Sequence, residues 1–163
     1  MNKLLERFSL SNALHILTPS RVERDVLSVL RKSQTCYPDI LQWYYSRFTP
    51  GLTNGTRAIF VYYVDNNLAG LALVKSELME KKICTFYVKE EYRSNGIGGN
   101  LFQSCFEFLG TDKPMITVSD GKVDSFTAIF KHYAFRLEQV LDEYYSPFSR
   151  EYVYNGWLNH RAA

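Results

Sequence analysis

The sequence predicts an α/β (α+β) fold: a mixed sheet of about seven strands with about four helices. Three observations carry that expectation. First, Arg57–Val64, Leu68–Lys75 and Lys82–Val88 read as strands, and the turns joining them are so short that neighbours must run antiparallel. Second, a helix-patterned stretch over 98–109 separates strand 82–88 from an apolar strand at Met115–Ser119. A crossover through a helix makes those two strands parallel. Third, Arg93-Ser94-Asn95-Gly96-Ile97-Gly98-Gly99 sets a glycine-rich turn at the junction between strand and helix.

The remaining elements follow in order. Residues 12–18 read as a first strand closed by Pro19, and Ser20 caps a helix to about residue 34. Val22, Val26, Leu27 and Leu30 give that helix its apolar stripe. After the Tyr37-Pro38 break, a second helix over about 38–47 carries Ile40, Leu41, Trp43 and Tyr44, and 49–55 reads as a loop around Pro50-Gly51. Gly110 stops the third helix. The fourth starts at Asp124 or Ser125 and runs to about Tyr133, with Phe126, Ile129 and Phe130 as its apolar face. Strands at 135–142 and 151–157 flank a tyrosine-rich loop and close the chain.

A length of 163 residues predicts one domain over 1–163. The aromatic share is high, with 12 Tyr and 11 Phe, enough to wall a pocket as well as fill a core. A net charge of +2 is too small to argue for nucleic acid or an anionic membrane as an obligatory partner, so nucleic acid is not expected and no membrane partner is predicted. Cys36, Cys84 and Cys105 lack metal-ligand spacing and are odd in number; they read as reduced thiols, which predicts a cytoplasmic protein without metal. Charges interrupt the apolar residues of Met1–Leu10, so that stretch is not read as a signal peptide, and no stretch has the length of a membrane span.

Glycines let a backbone approach a ligand closely, and the free amides at a helix N-terminus favour a phosphate. The turn at 93–99 therefore points to a phosphate-bearing cofactor, with a plain turn and helix start as the competing reading. A dinucleotide fingerprint fails because its third glycine falls at Leu101. A P-loop fails because no Gly-Lys-Ser/Thr follows.

Arg93-Ser94-Asn95-Gly96-Ile97-Gly98, preceded by a strand ending Phe86-Tyr87-Val88 and by Glu91-Tyr92, resembles the cofactor motif of the GNAT N-acetyltransferase superfamily. The likeness extends over roughly 12–157. It implies a twisted sheet with a V-shaped splay between strands 82–88 and 115–119, where acetyl-CoA would lie. The pantetheine would follow Phe86, Tyr87 and Val88, and the pyrophosphate would sit on Arg93, Ser94, Asn95, Gly96, Ile97, Gly98 and Gly99. Ser125 and Phe130 of the fourth helix would complete that site.

The resemblance also implies an acid and a base, and here the sequence departs from it. The position of the family's acidic tyrosine is Phe130, and Ala134 replaces the family's glycine. Tyr133 is the substitute acid, set against a reading as a core or hinge tyrosine; His132 reads as a surface residue. The base positions hold Lys82 and Cys84, and Cys84 is expected to share a strand face with Phe86 and Val88. Glu77 and Glu80 read as turn charges. Asp120, beside Ser119 at the end of the parallel strand, is the second catalytic candidate, set against a turn former. Tyr37, Trp43, Tyr44, Tyr144 and Tyr145 are the candidate walls of the acceptor pocket, each set against core packing.

The function implied is acetyl-CoA-dependent transfer of an acetyl group to a primary amine of a small molecule, peptide or protein, with homodimerisation an option common in the superfamily. A non-catalytic acetyl-CoA sensor is the alternative, and the amine of an aminoacyl-tRNA is a third, weaker acceptor.

Overall fold

The structure is a computed structural model describing residues 3–8 and 19–159. Its elements are β1 (Lys3–Phe8), α1 (Pro19–Ser33), α2 (Ile40–Trp43), a π-helical turn (Tyr44–Phe48), α3 (Thr49–Thr53), β2 (Arg57–Val64), β3 (Asn67–Glu77), β4 (Glu80–Val88), α4 (Ile97–Leu109), β5 (Met115–Ser119), α5 (Val123–His132), β6 (Leu137–Asp142) and β7 (Arg150–Tyr154). The strands form one seven-stranded sheet in the order β1-β2-β3-β4-β5-β7-β6. Among the described residues only β4 and β5 are parallel neighbours, as the helical crossover requires.

Helices cover both faces of the sheet. Successive side chains of a strand point to opposite faces, and β2 is sorted accordingly. Ala58, Phe60, Tyr62 and Val64 join a cluster with α4 and α5, while Ile59, Val61 and Tyr63 join one with α1, the π-turn and α3. Burial on both faces is why β2 reads as an unbroken apolar run. The stripe of α1 consists of Val22, Val26, Val29 and Leu30, with Leu27 only half-buried. On β3, Ala69, Gly70 and Ala72 let α4 come close: a Cβ on Gly70 would lie 2.9 Å from Leu101 Cδ1.

The structure corrects several expectations. The strand expected at 12–18 lies outside the described residues. An unexpected strand, β1, pairs with β2, and Arg7 of β1 sits 4.6 Å from the Phe108 ring. The expected loop at 49–55 is largely helix. Tyr44, Phe48 and Leu52 are all buried, so the apolar stripe continues through Pro50. Pro50 falls in the first turn of α3, where its missing N–H costs nothing. The π-turn absorbs the join, and Thr49 Oγ1 donates to the Tyr44 carbonyl at 2.9 Å. The last helix begins at Val123, after a 3-10 turn over Asp120–Lys122.

Candidate active site

The parallel pair β4–β5 is short. Only Lys82↔Met115 and Ile83↔Ile116 are in register; beyond them the strands part, and β5 pairs with β7 through Ser119↔Glu151. The parting follows from a bulge in β4. Val74 pairs with Ile83 and Leu73 with Thr85, so Cys84 is the extra residue. A bulge bends its strand and increases the local twist. It also shifts the alternation. Ile83, Phe86 and Val88 pack with α4 and α5, whereas Cys84 and Tyr87 pack on the opposite face. The expectation that Cys84 shares a face with Phe86 and Val88 is therefore wrong, and the extra residue is the reason. Burial pushes the Cys84 thiol up, which leaves it a poor nucleophile.

At the open end of the gap, β4 leads into the glycine turn. Arg93 Nε donates to the Val88 carbonyl at 3.3 Å and closes the turn. Ser94 (φ 62°) and Gly96 (φ 78°) are both left-handed, and Gly96 is the N-cap of α4. A glycine cap has no side chain to occupy the first-turn amides. The first helical bond runs from Asn100 N to Gly96 O at 3.1 Å, so the N–H groups of Ile97, Gly98 and Gly99 have no helical acceptor. The Ile97 side chain is core, so only its backbone can serve a ligand. A Cβ on Gly98 would meet Ile129 Cδ1 at 3.6 Å and Val88 Cγ2 at 3.9 Å; one on Gly99 would meet the Tyr133 hydroxyl at 3.9 Å. These are ordinary contact distances, so both glycines border α5 and β4 at the helix start without being required there for space. A diphosphate on these amides, with an extended arm along the edge of β4 left free by β5, fits the residues present.

On the other face of the gap lies a polar cluster. Glu151 of β7 is only 3% exposed, and among the described residues it is the one buried carboxylate. Its Oε1 accepts a hydrogen bond from the Tyr37 hydroxyl at 3.0 Å; Tyr37 lies in the α1–α2 turn. Burial pushes the Glu151 carboxyl above the ordinary glutamate range, while the Thr117 and Tyr37 hydroxyls and the Lys82 ammonium pull it down. Burial, with the Glu151 charge, also pushes the Tyr37 hydroxyl far up, so Tyr37 remains a donor. Two buried hydroxyls border the gap without a hydrogen-bond partner: Thr85 Oγ1 of β4 and Ser119 Oγ of β5. Tyr37 lies beside Ser119, whose hydroxyl tempers the rise of the Tyr37 hydroxyl. Orphaned buried hydroxyls are uncommon in native folds and mark places that a polar ligand can satisfy.

Residues 33–136 match the family described as the acetyltransferase (GNAT) domain. The chain belongs to this family. Comparison with curated protein sequences finds no match. Among solved structures, Ard1 from Thermoplasma volcanium superposes with a TM-score of 0.60 at 23% identity, covering 93% of this chain and 95% of that one. The ribosomal-protein-S18-alanine N-acetyltransferase from Escherichia coli gives 0.61 at 12% identity, with 98% and 99% covered. PaiA N-acetyltransferase from Thermoplasma acidophilum, in complex with coenzyme A, gives 0.58 at 18%, with 93% and 98% covered. Nourseothricin acetyltransferase matches at 0.55 and 20% identity; the chain spans 65% of its length. At these identities the likeness is one of fold.

Within the GNAT frame the remaining candidates separate. Tyr133 ends α5, with its ring 5.0 Å from Phe106 and 5.6 Å from Phe102, and its hydroxyl approaches the first turn of α4. His132 is exposed beside it. Phe130 is 4% exposed, stacked on Phe135 at 5.2 Å and against Tyr154 at 4.3 Å, so its side chain is spent on the core. Ser125 is exposed in the first turn of α5. Asp120 accepts from the Tyr152 hydroxyl at 2.8 Å and pairs with Arg150 at 3.3 Å. The Tyr152 bond first, then Arg150, hold its carboxyl below the ordinary range, so it is a clamp between β5 and β7 and a weak base. Glu77 and Glu80 are paired with Arg57 and Lys75 at the closed end of the gap.

The tyrosine candidates divide in two. Tyr37 and Tyr145 meet edge to face at 5.2 Å, and Tyr144 meets Tyr145 at 4.7 Å, which joins the α1–α2 turn to the β6–β7 loop over Glu151. Trp43 and Tyr44 instead pack on Phe48 in the core, because they lie on the inward stripe of the helical segment. Glu151 escaped the sequence reading. In Arg150-Glu151-Tyr152-Val153-Tyr154 it resembles any solvated strand residue, although a lone carboxylate alternating in phase with Val153 was a signal.

Proposed function

We propose that this GNAT protein transfers an acetyl group from acetyl-CoA to a primary amine. The observation that carries the reading is the continuity of two features. The gap between β4 and β5 opens directly onto the three first-turn amides of α4, where a glycine caps the helix. Solved proteins of the same fold hold coenzyme A or acetyl-CoA, which supports the choice of cofactor.

In this reading the amides of Ser94 to Gly99 hold the pyrophosphate, aided by the dipole of α4. The edge of β4 at Phe86–Val88 holds the pantetheine as an added strand would. Acetyl-CoA supplies an acyl carbon already activated as a thioester. The protein contributes placement, worth up to roughly 7–11 kcal/mol when two reactants are well aligned. An amide of β4 near Phe86 polarises the acyl carbonyl. The acceptor enters from the opposite face, past Tyr37, Tyr144 and Tyr145.

The test combines a thermal shift with acetyl-CoA and release of free thiol over a broad amine panel. Acetyl-CoA should raise the melting temperature, and Gly98→Trp should abolish the shift by setting an indole beside the first-turn amides, next to Ile129 and Val88. Thiol release with one amine class completes the case. A shift without release from any amine would instead establish a cofactor-binding sensor.

A further inference from the structure

We propose that Glu151 is the proton acceptor of the transfer, with Tyr37 as the residue that positions it. The proposal rests on the acetyl-transfer reading and adds the residue that the base positions of the sequence, Lys82 and Cys84, do not supply.

Three observations converge on it. Glu151 is the only buried carboxylate among the described residues, and it lies on the strand next to the open end of the gap. A buried carboxylate is costly unless it is well partnered; Tyr37 donates to Oε1 and the Thr117 hydroxyl also favours the charged form. A carboxylate has about four acceptor sites, so capacity remains for a further donor. Ser119, opposite Glu151 in the β5–β7 register, has a buried hydroxyl with no partner, so the same place has unspent hydrogen-bonding capacity on two strands. A donor entering between them would satisfy both, and an amine is such a donor. The groups that face Glu151 are Tyr37 from the α1–α2 turn, Thr117 from β5, Lys82 from β4 and Tyr145 from the β6–β7 loop.

The acceptor enters as a neutral primary amine, and its nitrogen forms a bond to the acyl carbon. The carbon–sulfur bond breaks and its electron pair departs on sulfur as thiolate. The nitrogen gives one proton to the Glu151 carboxylate, and Glu151 later releases it to water.

Glu151→Gln keeps the shape and can still accept from Tyr37, but cannot take a proton. It should lower thiol release by about 10²–10⁴-fold while the acetyl-CoA thermal shift persists. Tyr37→Phe removes a hydrogen bond to the charged carboxylate, so the acid limb of the pH–rate profile should move to higher pH. A residue that only ties the α1–α2 turn to β7 would not move that limb. The free protein gives a separate readout. Burial raises the folded-state pKa of Glu151, so the cost of its charge is absent below its unfolded pKa and grows as pH rises through the folded one. The melting temperature of Glu151→Gln relative to the wild-type protein should therefore climb between pH 4 and pH 8. Undiminished thiol release by Glu151→Gln, or an acid limb unmoved in Tyr37→Phe, overturns the assignment; the second decides if Glu151→Gln does not fold. No thermal shift and no thiol release from the wild-type protein would overturn the acetyl-transfer reading beneath it.

Discussion

Gly70→Ala should destabilise the protein, against the usual sign of such a change in a strand. Alanine restricts the unfolded chain and commonly stabilises by about 0.4–1 kcal/mol where the backbone permits it. At Gly70 the space does not permit it. A Cβ would lie 2.8 Å from the Tyr87 carbonyl oxygen, 2.9 Å from Leu101 Cδ1 and 3.3 Å from Ile97 Cγ2. The first is backbone of the paired strand β4 and cannot rotate away; Leu101 and Ile97 are buried in α4. Relief requires β4 and α4 to shift by several tenths of an ångström. Overpacking of this kind costs about 1–3 kcal/mol. After the entropic gain, about 0.5–2 kcal/mol of destabilisation remains, a fall of roughly 1–8 °C in melting temperature for a chain of this size. Thermal denaturation by circular dichroism measures it. Gly121→Ala is the control: nothing lies within 4 Å of its Cβ, so stability should hold or rise slightly. Ile97 opens α4, so the shift should also weaken acetyl-CoA binding. A melting temperature equal to or above wild type for Gly70→Ala would refute the close packing of α4 on β3 as the reason for this glycine.

Other outcomes follow from single contacts. Ala134 stands at φ 51° after α5. Ala134→Gly should relieve about 1–2 kcal/mol of left-handed strain against about 0.4–1 kcal/mol of added unfolded-state freedom, raising the melting temperature by a degree or more. Asp120→Asn should lower stability at neutral pH. The folded-state pKa of Asp120 is depressed, so its contribution is present above the unfolded aspartate pKa and fades as pH falls through the folded one. The gap between variant and wild-type melting curves should therefore close in acid. A thiol reagent should modify half-buried Cys36 in the native protein and reach Cys105, fully buried, only on unfolding. Urea-jump labelling followed by mass spectrometry separates the two.

The glycine turn was legible because its chemistry is local. Arg93 to Gly99 carries most of its conformational needs in its own residue types, and the structure answers with left-handed Gly96 and a helix that starts at Ile97; the left-handed Ser94 is not signalled by its residue type. The antiparallel run of β2, β3 and β4 was legible because short turns leave no other pairing. Elements failed where a weak local signal met a tertiary one. Pro50-Gly51 reads as a break, but burial of Tyr44, Phe48 and Leu52 carries the helix past it. The single extra residue at Cys84 is invisible in a period-two pattern, yet it decides which face of β4 packs on α4 and α5.

The sequence by itself determined the glycine turn at the start of α4, the parallel crossover from strand 82–88 to strand 115–119 and the apolar faces, because each depends on residues near one another along the chain. Only the tertiary structure decided what lies across the gap. The Tyr37–Glu151 hydrogen bond joins residues 114 positions apart, and it exists because β7 inserts between β5 and β6. Strand order is set by the packing of the whole sheet. A carboxylate that looks solvated in its own segment thus becomes the buried charge beside the open end of the gap.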